Sequence, residues 1–541
     1  MDLRYWQSFL KDKVTEYLKN GFLVSLQAPT GSGKTLFSIL VSFQVKPKVL
    51  YVVRTHNEFY PVYREIRKLN KTYSFIIGKS SACPFVSGDV DPEDIKCSSC
   101  EIYNSAKITV DESPFAFIKK IKKDGVEKGY CPYYSLLGSI EDSDLVLITY
   151  PYLFLPYLRE SLDINIEDFA VIIDEAHNLD YLNDLQERKL NQNIIQLAKN
   201  KVKNSEVIKI LDKLEVEIRK SVFSDDKYIL MDNYPKLTED ELDILKDEYE
   251  LEREEAVKQK KISRIYLGNI LKFYTSLSEA KVFSYKGSLV SKPLTSRDML
   301  SILNANTSFI LMSGTLPPIE YMKKIMGIER RMIYIDVEKE VKSKITGNYT
   351  CMIATDVTSS YSLRTTEMWK KYASYILKIY HLAEKHILAV FPSYMIMEKI
   401  MNLIEVRKFV EKDKTNIEEI MEKTKQGKTI IAGVARGKLT EGVELTMEGK
   451  SLISDVILAG IPYPSVDDFL KLKAEQIRKI TGENLIDLLI SVPAYISVKQ
   501  AIGRAIRSPE DKANVWLLDK RFDNIMWKTK LRCYNPRKVK L

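Results

Sequence analysis

The chain has 541 residues, which is too long for one hydrophobic core and predicts about three or four domains. Apolar residues make up 45% of the sequence, but no run of eighteen apolar residues occurs, which argues against a membrane-spanning protein. The first ten residues lack the pattern of a secretory signal, so we expect a cytoplasmic protein. The formal net charge of +9 is compatible with a polyanionic partner.

The first predicted elements are a helix, a strand, a glycine-rich turn and a second helix. Residues 1–21 have apolar side chains at helical spacing, and residues 22–26 form a short apolar strand. The turn that follows consists of Ala28, Pro29, Thr30, Gly31, Ser32, Gly33, Lys34 and Thr35. A strand, a glycine-rich turn and a helix start in this order predict a loop that binds phosphate groups.

The residue types of this loop predict a nucleoside triphosphate site. Gly31 and Gly33 permit backbone angles that let successive N–H groups point at phosphate oxygens. The positive end of the next helix dipole adds to the attraction. Lys34 can reach the β- and γ-phosphates, and the Thr35 hydroxyl can bind Mg²⁺. The usual pattern begins with Gly, and Ala28 occupies that position here.

Buried-strand patterns along the rest of the chain fall into two groups. The first group comprises residues 48–54, 144–150, 169–173 and 308–312, and the second comprises 386–390, 429–433, 455–459 and 514–518. Polar residues follow these runs, as expected at the carboxyl edge of a parallel sheet. We therefore predict two α/β lobes with parallel sheets, the first of which is interrupted by two insertions.

The first insertion contains four of the six cysteines: Cys83, Cys97, Cys100 and Cys131. Clustered cysteines in a cytosolic chain indicate metal binding more than a disulfide scaffold. Two of them precede proline, as in ferredoxin cluster motifs, whereas zinc ribbons usually have two C-x2-C pairs and only one occurs here. The spacing leaves open an iron–sulfur cluster, zinc and ordinary thiols. The other two cysteines, Cys351 and Cys533, are isolated in sequence, and we expect them to be inert.

The second insertion is highly charged and has several apolar patterns at helical spacing. Thr238 and Glu241 form a capping box that predicts one helix start. The segment 239–261 is mostly charged, which is typical of a solvated helical arm.

Two adjacent carboxylates, Asp174 and Glu175, follow the predicted strand 169–173. A buried strand that ends in two acids is costly unless the acids are used. In a triphosphatase, Asp174 would hold Mg²⁺, and Glu175 would orient and deprotonate the attacking water. The phosphate loop upstream favours this interpretation over a simple helix cap.

A third group of polar residues lies near the end of the second lobe. Steps of four and three residues place Gln500, Arg504 and Arg507 on one helix face. Guanidinium groups suit the charged oxygens of a γ-phosphate. Gly503 lowers helix propensity, which suggests a close approach to the backbone at that point. Nucleotide bound between the two lobes would close the cleft, and hydrolysis would release it.

These motifs, in this order, resemble those of a superfamily-two helicase. The matching segments are Gln7, APTGSGKT, VVRTHNE, DEAH, SGTLPP, ARGKLTEGVE and QAIGRAIRSPED. With the four-cysteine insertion, the chain resembles the XPD helicase family, and its size resembles that of the archaeal members. The resemblance covers nearly the whole chain and is weakest over residues 180–300.

The resemblance implies an α/β fold with two RecA-like parallel-sheet motor domains, with a four-cysteine iron–sulfur domain and a helical arch domain inserted in the first. The implied boundaries are 1–77, 144–179 and 300–316 for motor domain 1, 78–143 for the iron–sulfur domain, 180–299 for the arch and 317–541 for motor domain 2. The implied activity is ATP-dependent unwinding of duplex DNA, with 5′-to-3′ movement along single-stranded DNA and a link to nucleotide excision repair.

Residue roles follow from the same resemblance. Gln7 would contact the adenine of ATP, and the four clustered cysteines would hold a [4Fe–4S] cluster rather than zinc. Residues 313–315 would couple hydrolysis to DNA movement. Gln500, Arg504 and Arg507 would serve the γ-phosphate and the coupling between lobes. Arg54, Thr55 and Arg436 would lie at the DNA-facing edge.

The implied partners are single-stranded and forked DNA, with a repair nuclease or a damage-recognition protein as further candidates. We expect a monomer and no membrane partner. Two alternatives from other functional classes stay open at this point. One is an ATP-gated clamp on single-stranded DNA that does not separate strands, and the other is a repair scaffold.

Overall fold

Two seven-stranded sheets, each with all of its strands parallel, organise the chain. The computed structural model describes residues 3–221, 226–341, 345–412, 417–441, 446–447, 450–506 and 508–541. The prediction of two parallel-sheet α/β lobes is therefore confirmed, and every strand predicted from the sequence is present within about two residues of its expected position.

Lobe 1 begins with the predicted amphipathic helix and then alternates strands and helices. Its elements up to residue 77 are α1 (Tyr5–Lys19), β1 (Leu23–Gln27), α2 (Lys34–Phe43), β2 (Lys48–Val53), α3 (Phe59–Ile66) and β3 (Tyr73–Phe75). The first insertion follows, with α4 (Lys79–Ala82), α5 (Pro114–Lys128) and α6 (Pro132–Gly138). The chain then returns to the sheet with β4 (Leu145–Thr149), α7 (Tyr150–Phe154), α8 (Pro156–Glu160) and β5 (Phe169–Ile173).

A 3-10 segment, Ala176–Gln186, leads from β5 to the second insertion. The elements of this insertion are β6 (Arg188–Leu190), α9 (Gln192–Lys199), α10 (Ser205–Ser221), β7 (Ile229–Leu230), α11 (Glu239–Lys258), α12 (Tyr266–Thr275), β8 (Lys281–Tyr285) and β9 (Ser288–Lys292). Thr238 and Glu241 form the predicted capping box at the start of α11. The insertion is not purely helical as predicted, because its four strands form an antiparallel sheet in the order β6-β9-β8-β7.

Lobe 1 is completed by α13 (Arg297–Leu300), β10 (Ser308–Ser313), α14 (Ile319–Lys324), β11 (Met332–Asp336) and α15 (Val337–Glu340). The strand order of its sheet is β11-β1-β10-β5-β2-β4-β3. Because β11 pairs with β1, the predicted boundary at residue 317 is too early. The first strand of the other sheet begins only at Asn348.

Lobe 2 contains the remaining elements. They are β12 (Asn348–Ala354), α16 (Thr366–Leu382), β13 (His386–Phe391), α17 (Tyr394–Met401), β14 (Lys408–Val410), α18 (Ile417–Lys425), β15 (Ile430–Val434), α19 (Lys438–Glu441), β16 (Thr446–Met447), β17 (Lys450–Ser451), β18 (Ile453–Leu458), α20 (Asp468–Thr481), α21 (Ile486–Gly503), β19 (Lys512–Leu517), α22 (Ile525–Lys530) and β20 (Arg537–Val539). The parallel sheet has the order β14-β15-β13-β18-β19-β12-β20, and β16 and β17 form a separate hairpin.

A disulfide joins Cys351 of β12 to Cys533, whose Cα atoms are 5.7 Å apart. Both residues are buried in the core of lobe 2. The expectation that these two cysteines are inert was therefore wrong, because the fold brings together two residues that are 182 positions apart.

Helices α20 and α21 connect the two lobes. Leu470 and Ile477 of α20, together with Leu489 of α21, belong to the core of lobe 1. Farther along α21, Val498 and Ile502 belong to the core of lobe 2. Helix α21 is the one described helix that has the length and mean hydropathy of a membrane span, and 50% of it is buried inside the protein. Its apolar residues are used to pack the two lobes together.

Candidate active site

The predicted site residues of lobe 1 meet at the carboxyl edge of its sheet. The phosphate loop follows β1, whose last residue, Gln27, pairs with Ser313 at the end of β10. Strand β5 lies on the other side of β10 and ends at Ile173, directly before Asp174 and Glu175. Because neighbouring strands are parallel, their carboxyl ends lie side by side.

Three side chains at the N-terminal end of α1 donate hydrogen bonds to backbone carbonyls of the phosphate loop. Arg4 Nη1 donates to the carbonyl oxygen of Gly31 at 2.7 Å, and Trp6 Nε1 donates to that of Ser32 at 3.0 Å. Gln7 Nε2 donates to the carbonyl oxygen of Gly33 at 2.8 Å. With three consecutive carbonyls turned toward α1, the opposite side of the loop can face an anion.

Gln7 was predicted to contact adenine, and the structure places it against the phosphate loop. Its side chain is 2% exposed, and its Oε1 accepts a hydrogen bond from Arg4 N at 2.8 Å. A Cβ on Gly33 would lie 2.7 Å from Gln7 Nε2, and the φ of Gly33 is +88°. Glycine is therefore required at this position. The adenine contact stays a prediction.

Lys34 lies between the two acidic residues. Its Nζ is 3.3 Å from Glu175 Oε1 and 3.8 Å from Asp174 Oδ1, and the residue is 8% exposed. A buried lysine at the start of α2 needs a negative partner. The phosphates of a nucleotide would supply the same kind of charge, so Lys34 can move from the carboxylates to the substrate.

Asp174 and Thr35 lie on either side of the buried hydroxyl of Tyr51. This hydroxyl donates to Asp174 Oδ2 at 3.0 Å and also interacts with the Thr35 side chain. Burial raises the pKa of Asp174, and Lys34 opposes that effect. A carboxylate and a hydroxyl placed together provide the hard oxygen ligands that Mg²⁺ prefers.

Glu175 has several charged and polar neighbours. Burial alone would raise its pKa, but Lys34, His177 and Arg504 hold the pKa of Glu175 well below its usual range. The carboxylate is therefore ionised and able to accept a proton. Its backbone has a φ of +49°, which is uncommon for a residue other than glycine and directs the side chain into the cleft.

His177 connects Glu175 with lobe 2. Its Nδ1 is 2.7 Å from Ser313 Oγ and 3.3 Å from Glu175 Oε2. Its Nε2 lies 2.9 Å from the side-chain amide nitrogen of Asn178 and also contacts that of Gln500 on α21. Gln500 was predicted at the γ-phosphate and in the coupling between lobes. The structure places its amide at the lobe-to-lobe contact.

Arg504 follows α21 directly, and its charge contributes to the low pKa of Glu175. Its Nε also donates to the carbonyl oxygen of Thr440 at 2.9 Å. Arg507 lies outside the described residues. Helix α21 ends at Gly503, where an added Cβ would meet nothing within 4 Å. No atom of the described residues approaches Gly503 closely, and the predicted close approach stays a prediction.

Arg54 and Thr55 follow β2 and are exposed at the same edge of the sheet. Arg54 N and Thr55 Oγ1 donate to the carboxylate of Glu58 at 3.1 and 3.0 Å. Burial, together with Asp174 and Glu175, raises the pKa of Glu58 to about 7. This third carboxylate next to the catalytic pair was not predicted.

Arg436 was predicted to face DNA, and the structure places it between the lobes. Its guanidinium lies 4.7 Å from the ring centre of Tyr181, and its Nε is 3.4 Å from Ser497 Oγ. Its Nη2 is buried without a hydrogen-bond partner. The DNA contact of Arg436 stays a prediction.

The four cysteines of the first insertion line one apolar cavity. Cys83 follows α4, Cys97 and Cys100 flank a short 3-10 turn, and Cys131 precedes Pro132 of α6. Burial raises the pKa of the Cys83 thiol to about 11. Among the described residues, no three His, Cys, Asp or Glu side chains are grouped to hold a metal ion.

Several residues of the site were missed from the sequence. Arg4 and Trp6 hold the phosphate loop, Tyr51 hydrogen-bonds to Asp174, and His177 connects the lobes. Tyr51 could have been found, since a tyrosine within a buried strand needs a partner for its hydroxyl. The contact between His177 and Gln500 spans 323 positions, and only the fold reveals it.

Two family models match the chain. Residues 376–536 match the model described as helicase C-terminal domain, and residues 77–195 match the model described as DEAD_2. The chain is 49% identical to the ATP-dependent DNA helicase XPD of Sulfolobus acidocaldarius, and the alignment covers 100% of both proteins.

Solved structures agree with these matches. A solved XPD helicase superimposes with a TM-score of 0.95 at 48% identity and covers 100% of both chains. A solved apo form of XPD superimposes with a TM-score of 0.83 at 44% identity and covers 98% of this chain and 100% of the other. A full-length relative at this level of identity defines the family. The chain therefore belongs to the XPD helicase family.

Proposed function

We propose that this chain is an ATP-dependent DNA helicase that moves 5′ to 3′ along single-stranded DNA. One observation carries the proposal: Lys34 contacts Asp174 and Glu175 in lobe 1, and Gln500 of lobe 2 contacts His177, two residues after Glu175. The relative at 49% identity is an ATP-dependent DNA helicase, which favours strand separation over the clamp and scaffold alternatives.

The residues of the candidate active site have different roles in the proposed hydrolysis of ATP. Lys34 binds the β- and γ-phosphates, and the loop N–H groups face the same oxygens. Glu175 orients the attacking water and accepts its proton, and its pKa should rise when Lys34, which lowers it, turns to the phosphates. Arg504 stabilises the charge that develops on the γ-phosphate. Thr35 and Asp174 would hold Mg²⁺, which would neutralise phosphate charge.

The contacts of Glu175 suggest how hydrolysis is coupled to motion. Ser313 Oγ donates to Glu175 Oε2 at 3.3 Å, and His177 contacts Glu175, Ser313 and Gln500. When Lys34 turns to the phosphates of ATP, Glu175 loses one partner and the network can rearrange. The change then reaches lobe 2 through Gln500, so the two lobes shift relative to each other.

Cys83, Cys97, Cys100 and Cys131 would hold a [4Fe–4S] cluster, which would supply a covalent cross-link between segments of the first insertion. Their shared apolar cavity supports this assignment.

DNA is proposed to lie along the exposed carboxyl edge of lobe 1, near Arg54 and Thr55, and to reach Arg436, which lies between the lobes. Exposed basic groups next to polar side chains suit a phosphate backbone. We further propose that the chain acts as a monomer in the cytoplasm, in nucleotide excision repair. A nuclease or a damage-recognition protein would then be its partner at forked DNA.

Forked duplexes that carry only a 5′ tail or only a 3′ tail test the proposal. We expect ATP-dependent separation of the 5′-tailed substrate, because movement 5′ to 3′ on that tail leads to the junction. Glu175→Gln should bind ATP but hydrolyse it about 10²-fold more slowly, since it lacks the base. Glu167→Gln, an exposed change just before β5, is the matched control.

Separation of the 3′-tailed substrate alone would overturn the polarity. ATP turnover on DNA without any strand separation would instead support the clamp. Wild-type hydrolysis by Glu175→Gln would assign the base to another residue.

A further inference from the structure

A buried ion pair joins the 3-10 segment behind the catalytic carboxylates to helix α20. Lys473 Nζ lies 3.0 and 2.9 Å from the two carboxylate oxygens of Asp180. Both residues are only 5% exposed. Tyr321 OH completes the group by donating to Asp180 Oδ2 at 2.7 Å. The ion pair therefore has hydrogen-bond partners on both sides and is shielded from water.

The surroundings of Lys473 are apolar. Leu470 and Ile477 lie three residues before and four residues after it, hence on the same face of α20, and both belong to the core of lobe 1. An apolar residue at position 473 would complete this face. Replacing a buried ion pair with apolar residues is often neutral or stabilising. A contribution to the stability of the fold therefore does not explain why this ion pair is present. A need to fix the position of α20 relative to the 3-10 segment does explain it.

The same 3-10 segment contacts the α20–α21 hairpin at a second point. His177 contacts the side-chain amide of Gln500 on α21, while Asp180 binds Lys473 of α20. Two contacts on two successive helices fix the orientation of the hairpin relative to the segment. Arg504 directly follows α21, and Glu175 directly precedes the segment, so the orientation of the hairpin sets the distance between them.

We propose that Asp180 and Lys473 are a positioning pair, which seats the α20–α21 hairpin so that Arg504 and Gln500 face Glu175. Neither residue contacts the nucleotide, and both act through the hairpin. The inference rests on the proposed ATP hydrolysis at Glu175, and it adds two residues that no motif of the sequence singled out.

Lys473→Met tests the pair through the kinetics of ATP hydrolysis with single-stranded DNA. Misplacement of Arg504 should lower kcat by about tenfold or more. KM for ATP should stay within about threefold, since the phosphate loop is untouched. The Tm should fall as well, because Asp180 is left as an unpaired buried charge. Lys473→Arg keeps the charge and should regain most of the lost kcat.

The double variant Asp180→Asn/Lys473→Met separates positioning from stability. It removes both charges, so we expect the Tm to return while kcat stays low. Lys479→Met is the matched control, because it removes a lysine of the same helix from an exposed pair with Glu475. Its Tm and kcat should equal those of the wild type.

Wild-type kcat in Lys473→Met would overturn the proposal. If both the Tm and the kcat of the double variant returned to wild-type values, the positioning proposal would also be overturned. The ion pair would then have only a stabilising role. Because the readout is ATP hydrolysis, it is independent of strand separation. A wild-type protein that hydrolyses ATP but does not unwind would contradict the helicase proposal alone.

Discussion

Lys34 is the residue on which nucleotide chemistry depends most directly. Lys34→Ala should abolish ATP hydrolysis and leave some DNA binding, because the variant loses the cation for the β- and γ-phosphates. It also removes a charge that lowers the pKa of Glu175. Steady-state hydrolysis assays and DNA-binding titrations measure the two effects.

Lys19→Ala, at the exposed end of α1, is the control for Lys34→Ala and should behave as wild type. Normal ATP turnover by Lys34→Ala would contradict the assignment of residues 28–35 as the loop that binds the phosphates of ATP.

Glu58 should affect how stability changes with pH. Its pKa is about 7 in the folded protein, above the ordinary value of 4.5. The folded state therefore holds a proton that the unfolded chain releases, and stability declines as pH rises from about 4.5 to about 7. Glu58→Gln removes this penalty, so we expect a larger gain in Tm at about pH 8 than at about pH 5.

Thermal unfolding at both pH values measures the effect of Glu58→Gln. Glu160→Gln, on the surface of lobe 1, should show no such pH-dependent gain. An equal change in Tm at both pH values would mean that Glu58 is ionised in the folded protein.

The site could be predicted from sequence where its residues are close together in the chain. The phosphate loop and the Asp174–Glu175 pair each follow a recognisable strand, so the pattern placed them correctly. Trp6 could not be found in this way, because its indole N–H pairs with the carbonyl of Ser32, a backbone group without a sequence signature. The amphipathic pattern of α1 does not indicate which of its side chains contacts the phosphate loop.

At the scale of secondary-structure elements, the missed strands include short ones and also the seven-residue strand β12. Strand β7 has two residues and β6 has three, which is too few for an alternating pattern to be visible. Strand β11 has a clear apolar pattern, but its position after β10 suggested the second lobe. Its pairing with β1 depends on tertiary structure.

The first insertion gives a prediction at this scale. Cys100→Ser should lower DNA unwinding more than DNA-independent ATP hydrolysis, because the cysteines lie outside the sheet that holds the phosphate loop. Both activities should be measured on protein purified without oxygen. The wild type should contain about four irons and four sulfides per chain.

Ser99→Ala, in the same 3-10 turn, is the matched control for Cys100→Ser. Equal loss of both activities in Cys100→Ser would mean that the insertion only supports the fold. One zinc ion per chain without iron would contradict the assignment of an iron–sulfur cluster.

At the scale of the whole molecule, the Cys351–Cys533 disulfide ties the C-terminal region to the sheet of lobe 2. Cys533→Ser should lower stability by about 2–5 kcal/mol, because the cross-link restricts the unfolded chain. Reductant should lower the Tm of the wild type and leave that of the variant unchanged. Six free thiols in the unfolded wild type, counted without reductant, would contradict the pairing.

The arrangement of the two lobes was predictable only in outline. The motifs indicated that lobe 2 supplies residues to a site in lobe 1, and Gln500 and Arg504 do face that site. Helix α20 also holds the second insertion, since Asp468 accepts a hydrogen bond from Leu230 N at 3.1 Å and Phe469 packs against Phe283. These contacts join distant parts of the chain, which periodicity and spacing do not describe.

The contact between Trp6 and the phosphate loop gives this protein an internal optical probe. Only four tryptophans occur in the chain, and the buried indole of Trp6 is hydrogen-bonded to Ser32 and packed 4.8 Å from the ring of Phe37 on α2. The emission of an indole depends on its hydrogen bonds and on the polarity around it. We therefore expect nucleotide binding at the phosphate loop to change the emission of Trp6. Binding can then be followed by intrinsic fluorescence, in real time and without any added label.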